Sequence, residues 1–500
     1  MGRIVATVFF AILIWQLYRL TRDGEGQTSR ALWLPTYWLF IGSSRNLSEW
    51  LNLSSGLGGR SVTYVEGSPL DRAVLTLVLA LGVIVVLGRI GRAGIILRSN
   101  LPILLYFLYC LTSVLWSDFP DVAFKRWFRA TGDIVMVLIV LTDPDWIAAL
   151  RRLLVRLGNV LVPLSLLFSR WYPEYGRQFS HAGVPYWSGV TPEKNALGAL
   201  CLVYGLAFLY YFLQAYREEK GTRRGRLLIA YGVVTVMALY LLVASDSATA
   251  LAGFLLAGVP MVLTFRYSAF RKPALVHIMV LGALGVAVSA LFLNMGSGIV
   301  EEMGRSSTLT GRTAVWHAAL SLAESPVVGT GFASFWLGPR YEHMEELTGM
   351  DLNQAHNGYL EIYLNLGWIG VALLALVLIT AYRRVVKGAR WMTPAASLRL
   401  AFFMIAITQN FTEASFGMAG AVWIGFLLTT MAMPEVPRPS ELPLPGLGPA
   451  EDLAEGKPEE RSIPVPVGGR FARTDFRKSL VPTASFRRSG NFHRNPGHNR

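Results

Sequence analysis

The feature that most constrains this 500-residue chain is a recurrence of apolar segments, near 4–20, 31–42, 73–88, 101–116, 130–142, 153–169, 195–213, 227–244, 248–265, 274–293, 358–380, 398–411 and 415–433. Many approach the roughly 20 residues that a helix needs to cross a bilayer core. In lipid the backbone must satisfy its own hydrogen bonds, so such runs fold as helices. The expected fold is all-α, a polytopic membrane bundle of 12 or 13 transmembrane helices. The uncertain span is the second, which is short, contains Pro35 and can be re-entrant. Charged residues are only 16% of the chain against 53% hydrophobic, whereas an average soluble domain carries about 25% charge. A soluble fold is excluded. Residues 1–20 lack a small-residue cleavage site and read as a retained first span. Cys110 and Cys201 both lie inside apolar runs, which leaves no disulfide framework or cysteine zinc site.

The formal charge of +14 is first a topology signal, because Lys and Arg in short loops stay cytoplasmic. Nucleic acid is not an expected partner. Basic connections carry Arg89, Arg92 and Arg98; Arg151, Arg152 and Arg156; Arg217 to Arg226; Arg266, Arg271 and Lys272; and Arg383 to Arg399. The alternate connections then face outward. They contain 116–129, 170–194, the turn Ser245-Asp246-Ser247, the long stretch 294–357, and 409–416.

Loops as long as 294–357 are uncommon unless functional. Thr308 or Thr310 can cap a helix from about Gly311 to Glu324, ended by Ser325-Pro326. Residues 1–433 form the transmembrane domain, with 294–357 as a long outer loop within it. The tail, 434–500, is Pro-rich and acidic at first, then basic, and is expected to be disordered and cytoplasmic.

The densest polar signal is Gln354-Ala-His356-Asn357-Gly-Tyr359-Leu-Glu361-Ile-Tyr363-Leu-Asn365-Leu-Gly367, where the long loop enters a span. Asn357, Glu361 and Asn365 are spaced by four and share one helix face. Polar residues entering a span usually face the bundle interior or a watery cavity. His356 sits at the boundary, where it can be an interfacial residue or an acid, base or donor.

This motif resembles the O-antigen ligase and polymerase family, with its long periplasmic loop ending in a His-Asn or His-Ser motif. Gly67-Ser-Pro69-Leu-Asp71-Arg72, Leu115-Trp116-Ser117, Lys194-Asn195-Ala-Leu-Gly198, Gly311-Arg312 with Trp316, and Gly329-Thr-Gly331 agree with it over roughly residues 31–433. The Ser-Pro-x-Asp-Arg and Lys-Asn-x-x-Gly elements are most similar to the exopolysaccharide-production polymerase branch. Two departures bear on acceptor binding: Glu193 stands where that branch tends to have His, and Ser245-Asp-Ser-Ala-Thr249 has no Lys.

The resemblance implies a bacterial inner-membrane enzyme whose active site faces the periplasm. It would be an inverting, metal-independent glycosyltransferase without a cofactor, moving a glycan from an undecaprenyl diphosphate carrier to an acceptor glycan hydroxyl. Other polysaccharide assembly proteins are further implied partners. Negative charge grows on the leaving diphosphate, and cations must meet it. Arginine suits this because its fork binds phosphate oxygens bidentately. Arg312, in the Gly-Arg motif, is the leading candidate, with Arg305, Arg177, Arg170 and Lys194 as others. His356 would take the acceptor proton or orient the diphosphate. Asn195, Asn357 and Glu361 complete the expected substrate contacts.

Weaker motifs read structurally. Asp143-Pro-Asp145 is a helix start rather than a metal motif. Asp118 and Asp121 precede Lys125, Arg126 and Arg129 as an ion-paired helix start or, alternatively, a carboxylate base. His181, His317 and His343 lack ligand spacing. Trp171, Tyr172, Tyr175, Tyr186 and Trp187 form an interfacial belt or stack on sugars. Three functions compete: a polymerase of lipid-linked repeat units, a ligase placing finished glycan on lipid A core or protein, and a flippase for lipid-linked sugar. Flippases tend to show internal repeats and midplane polar sites. Here no repeat is visible and the ionisable residues gather on one side, which favours an enzyme.

Overall fold

A computed structural model describes residues 2–22, 28–51, 68–179, 183–292, 308–350, 352–391, 393, 395–417 and 420–432. They belong to one unit, Met1–Glu435. The predicted tail, Arg305, His181 and the side chains of Thr308 and Thr310, the proposed caps, lie outside what is described.

Each of the thirteen apolar segments falls on a helix. The helices are α1 (Gly2–Leu20), α2 (Trp33–Gly42), α3 (Pro69–Leu87), α4 (Ile90–Ser99), α5 (Leu101–Thr112), α6 (Pro120–Leu141), α7 (Trp146–Trp171), α8 (Lys194–Glu218), α9 (Gly221–Ala244), α10 (Ala248–Arg266), α11 (Pro273–Phe292), α12 (Thr308–Ser321), α13 (Pro339–Thr348), α14 (Gly358–Trp391), α15 (Ala396–Gln409) and α16 (Ala421–Thr430). The polytopic all-helical bundle is thus as expected. By length and composition, seven described helices can cross a membrane: α1, α3, α7, α8, α9, α10 and α14. An eighth span results if α4 and the stretch Leu101–Trp116, bent by 90°, are counted as one. The other apolar segments form shorter or more charged helices.

Helices α8, α15 and α16 form the centre, with Tyr204, Phe208, Phe402, Trp423 and Phe426 fully buried among them. The outward faces of α1 and α3 stay apolar and exposed, as at Ile4, Phe9, Leu77 and Ile84. That is the pattern of lipid-facing helices, in which apolar side chains need no protein partner.

Several sequence motifs act as local ties. Asp71 accepts hydrogen bonds from the backbone N–H (2.9 Å) and hydroxyl of Ser48, fastening the turn Leu47–Trp50 to the start of α3. Asp145 caps α7 through Ala148 N (3.0 Å), and Asp143 accepts from Ser29 N (3.0 Å), so the Asp-Pro-Asp element is a helix start as expected. Asp118 pairs with Arg340 of the long loop.

Candidate active site at the loop and helix junction

The site grows from the start of α14. Asn357 caps that helix, its Oδ1 accepting from the N–H groups of Tyr359 and Leu360, both at 3.1 Å. Gly358 N donates to Asn410 O at 2.8 Å and Glu413 O at 3.1 Å. The approach is so close that a Cβ at Gly358 would overlap the Asn410 amide. The opposing turn is itself closed by Asn410, whose Oδ1 accepts from Ser415 N (2.8 Å) and Phe416 N (3.2 Å). Two stretches far apart in sequence are locked together here.

His356, just before this lock, has φ +49°. Non-glycine residues rarely adopt that conformation, and such strain, of order 1–3 kcal/mol, concentrates at functional sites. The turn brings His356 Nδ1 to 3.3 Å from Glu413 Oε2. The other Glu413 oxygen lies 3.3 Å from a terminal nitrogen of Arg312, on α12. The His356, Arg312 and Glu413 side chains are 24, 20 and 12% exposed. All three are held yet remain open to a ligand. Glu193, at the start of α8, completes the cluster. Burial and the Glu413 charge raise its carboxyl above the usual range, opposed by His356 and Arg312.

The long loop is tied down directly behind this cluster. Trp316 Nε1 donates to Ala355 O at 2.8 Å. Trp336 Nε1 donates to both carboxylate oxygens of Glu361, the longer contact being 3.0 Å. Asn365 Oδ1 accepts from Ser334 N (2.8 Å) and Phe335 N (3.1 Å). Gly367, at φ +62°, interrupts α14. A Cβ there would overlap the Val327 carbonyl. The interruption lets Leu364 O and Asn365 O accept from Thr330 N (3.2 Å) and Gly331 N (2.9 Å) of the Gly-Thr-Gly turn. The stripe Asn357, Glu361 and Asn365 does face inward, but its polar atoms hold the helix end and the loop.

Of the other residues singled out from sequence, Lys194 begins α8 next to Glu193, its Nζ 5.8 Å from the Tyr186 ring centre. Asn195 is half-buried in the same turn. Gly198 packs against Ser247 and Ala250, so the Lys-Asn-x-x-Gly element meets the Ser-rich turn. Arg177 is in a hairpin of β1 (Arg177–Phe179) and β2 (Pro185–Trp187), donates from Nε to Ser169 O at 2.8 Å, and sits 5.6 Å from the Trp187 ring centre. Its described contacts lie outside the cluster. Arg170 is exposed. His343 pairs with Glu346. Most of the aromatic group packs on neighbours, Trp171 on Phe10 and Trp187 on Tyr240.

Sequence reasoning missed Glu413. Its signal was available: it is the only carboxylate between residues 393 and 432, in a short connection between two apolar segments. Glu193 was noticed only as a departure from a pattern.

Comparison with known proteins bears out the resemblance. Residues 233–375, which include Arg312 and His356, match the O-antigen ligase family. The chain is 27% identical over 303 residues to "Exopolysaccharide production protein ExoQ" of Rhizobium meliloti, covering 57% of this chain and 65% of that one. It is 22% identical over 223 residues to "Putative polysaccharide ligase" of Rickettsia bellii, covering 41% of this chain and 52% of that one. The matches thus span between half and two thirds of those relatives' lengths.

Proposed function

We propose that the protein is a bacterial inner-membrane glycosyltransferase that polymerises exopolysaccharide or O-antigen repeat units on the periplasmic side. The donor would be a glycan on undecaprenyl diphosphate and the acceptor a sugar hydroxyl of another glycan. The observation that carries this reading is the chain Arg312, Glu413, His356. Glu413 accepts from Nδ1–H of His356, which leaves Nε2 with its lone pair as a base. That is the tautomer control seen when a carboxylate backs a catalytic histidine.

In the reaction, the acceptor oxygen attacks the anomeric carbon from the face opposite the diphosphate, and its proton passes to His356 Nε2. The bond from the anomeric carbon to the diphosphate oxygen breaks, and its electron pair stays with the diphosphate. Arg312 keeps donors beyond its contact with Glu413 and meets the growing charge. Lys194 and Asn195, in the first turn of α8, are the further candidate substrate contacts, with Arg177 on the hairpin that precedes that helix. Asn357 and Glu361 serve the substrate indirectly, by holding the loop that carries His356. No step calls for a metal or cofactor.

The test is bond formation by the purified full-length protein in liposomes, given undecaprenyl diphosphate-linked oligosaccharide. The wild type forms glycosidic bonds, and His356→Ala loses roughly 10²–10⁴ in rate, the usual worth of a positioned general base. Carrier crossing the bilayer without bond formation would replace this reading with a flippase.

A ligase is the second reading, favoured by the name of the Rickettsia bellii relative. A deletion strain separates the two. Loss of a polymerase leaves single repeat units on the surface, and loss of a ligase leaves long chains on the carrier.

A further inference from the structure

At the end of the bundle away from His356 lies a cavity of about 430 Å³. Helix α8 begins beside the His356 cluster and reaches this cavity at Arg217 and Glu218, the end of its 25 residues. At 1.5 Å per residue that is roughly 37 Å. Helix α15 runs between the same two places, with Gln409 next to the Glu413 turn and Ala396 and Ser397 in the cavity wall. The cavity is therefore a second site.

Its wall carries Arg151, Arg217 and Arg271, supplied by α7, α8 and the connection after α10. Arg399, one turn into α15, stacks 5.1 Å from the Trp146 ring centre and has a buried Nε with no hydrogen-bond partner. Among the described residues, no carboxylate forms an ion pair with Arg217, Arg271 or Arg399. Two acids share the wall, each bonded to a neighbour within it: Asp145 to Ala148 N at 3.0 Å and Glu218 to Gln214 at 2.9 Å.

Arg217 and Arg271 crowd the same helix end. Arg271 donates to Thr264 O (2.7 Å) and Phe265 O (2.9 Å), and Arg217 reaches Phe265 O at 3.5 Å. Burial and the nearby Arg217 charge lower the Arg271 guanidinium below its usual range. Capping of α10 accounts for these two arginines but not for Arg399, nor for the start of α15. That helix begins after Ala395 at φ +59° with no side chain capping it. Ala396 N donates to Thr393 O at 3.0 Å, and the first-turn N–H groups beyond it, of Ser397 and Leu398, point to where an anion binds at a helix N-terminus.

We propose that this cavity binds a phosphate-bearing anion, in the cell the headgroup of an anionic phospholipid. The phosphate would sit between Arg217, Arg271 and the first turn of α15, with Arg151 and Arg399 adding charge. The lipid source follows from position. The cavity lies where α7 begins and α8 and α10 end, and its wall includes Leu150, Ile147 and Phe265, the setting in which basic pockets between spans hold lipid headgroups. A bound phosphate would join α15, which leads to Glu413, to α8, which begins at the Glu193 end of the active site.

The test uses the purified full-length protein in neutral detergent, with native mass spectrometry for retained lipid and a thermal melt for stabilisation. Phosphatidylglycerol, phosphatidylcholine and inorganic phosphate are compared. The expected result is saturable retention of phosphatidylglycerol with a raised Tm, and none with phosphatidylcholine. The variant R217Q/R271Q should weaken retention roughly tenfold or more, each lost charged contact being worth about that much. Because those arginines cap α10, Ser397→Asp is the second variant. It places a carboxylate in the wall at a helix start where acid is tolerated, and should also abolish retention. Protection by inorganic phosphate alone would keep the phosphate site but assign it to a soluble ligand. Equal effects of phosphatidylglycerol and phosphatidylcholine, no protection by any probe, or unchanged retention in both variants would overturn the proposal.

Discussion

Glu413 accepts a hydrogen bond from His356 Nδ1 across 57 residues of sequence, at 3.3 Å, while its second oxygen holds Arg312. In the proposed reaction, a carboxylate in that place would set the imidazole tautomer and compensate the proton that Nε2 gains. Glu413→Gln keeps the shape but removes the charge and can present an N–H to Nδ1, favouring the wrong tautomer. The expected loss in rate of glycosidic bond formation is roughly 10²–10⁴, with the protein still folded. A wild-type rate in this variant would remove Glu413 from the mechanism.

Arg312 tests the diphosphate assignment separately. A hydrogen bond to a charged group contributes about 1.5–3 kcal/mol, so Arg312→Ala should lower kcat/KM for the lipid-linked donor by roughly 10–100-fold. Arg312→Lys should recover only part of this, since it restores the charge without the planar fork. Steady-state kinetics with donor varied at fixed acceptor reads both. Full recovery by lysine would mean that charge alone matters and that no bidentate contact is made.

Much of the architecture was legible because hydrophobic periodicity and length are local signals. All thirteen apolar segments are helical, and the helix expected at about Gly311 to Glu324 occurs at Thr308–Ser321. Among the described residues, length and composition alone qualify seven or eight spans; the remaining apolar segments lie on shorter helices, such as α15 and α16, or on a more charged one, α6. His356 and Arg312, which separate motifs single out, both contact Glu413. The residue that joins them was not legible, because Glu413 is 101 positions from Arg312 and no spacing rule connects them. The four-residue stripe marked an inward face correctly, yet spacing alone could not tell substrate contacts from ties such as Glu361 with Trp336.

Glu193 gives a pH signature with a definite sign. Its carboxyl binds its proton more tightly in the folded protein than at the ordinary value of 4.5, chiefly through burial and then through Glu413. The folded state therefore carries more protons than the unfolded one above that pH. Stability falls as pH rises from about 4.5 through the raised folded value. Glu193→Gln removes this loss. The variant should melt higher than wild type at neutral pH, and the difference should vanish below the ordinary carboxyl range. Melts of both proteins across pH check it, and a difference independent of pH would mean that Glu193 is not the titrating group.

The tie between Trp336 and Glu361 predicts a non-additive pair. Trp336 is 3% exposed, and its indole N–H reaches both oxygens of Glu361. Trp336→Phe keeps most of the packing but leaves the carboxylate short of a donor, at a cost of about 1–3 kcal/mol. Glu361→Leu alone leaves the indole N–H without its acceptor and is also destabilising. Replacing both removes the two polar partners together, which can be nearly neutral. The double variant should therefore be more stable than the sum of the single losses, by roughly 0.5–3 kcal/mol, as residues in direct contact behave. Thermal melts of the four full-length proteins close the cycle. Simple additivity would show that the long loop is held by its other contacts, Asn365 with Ser334 and Phe335 first among them.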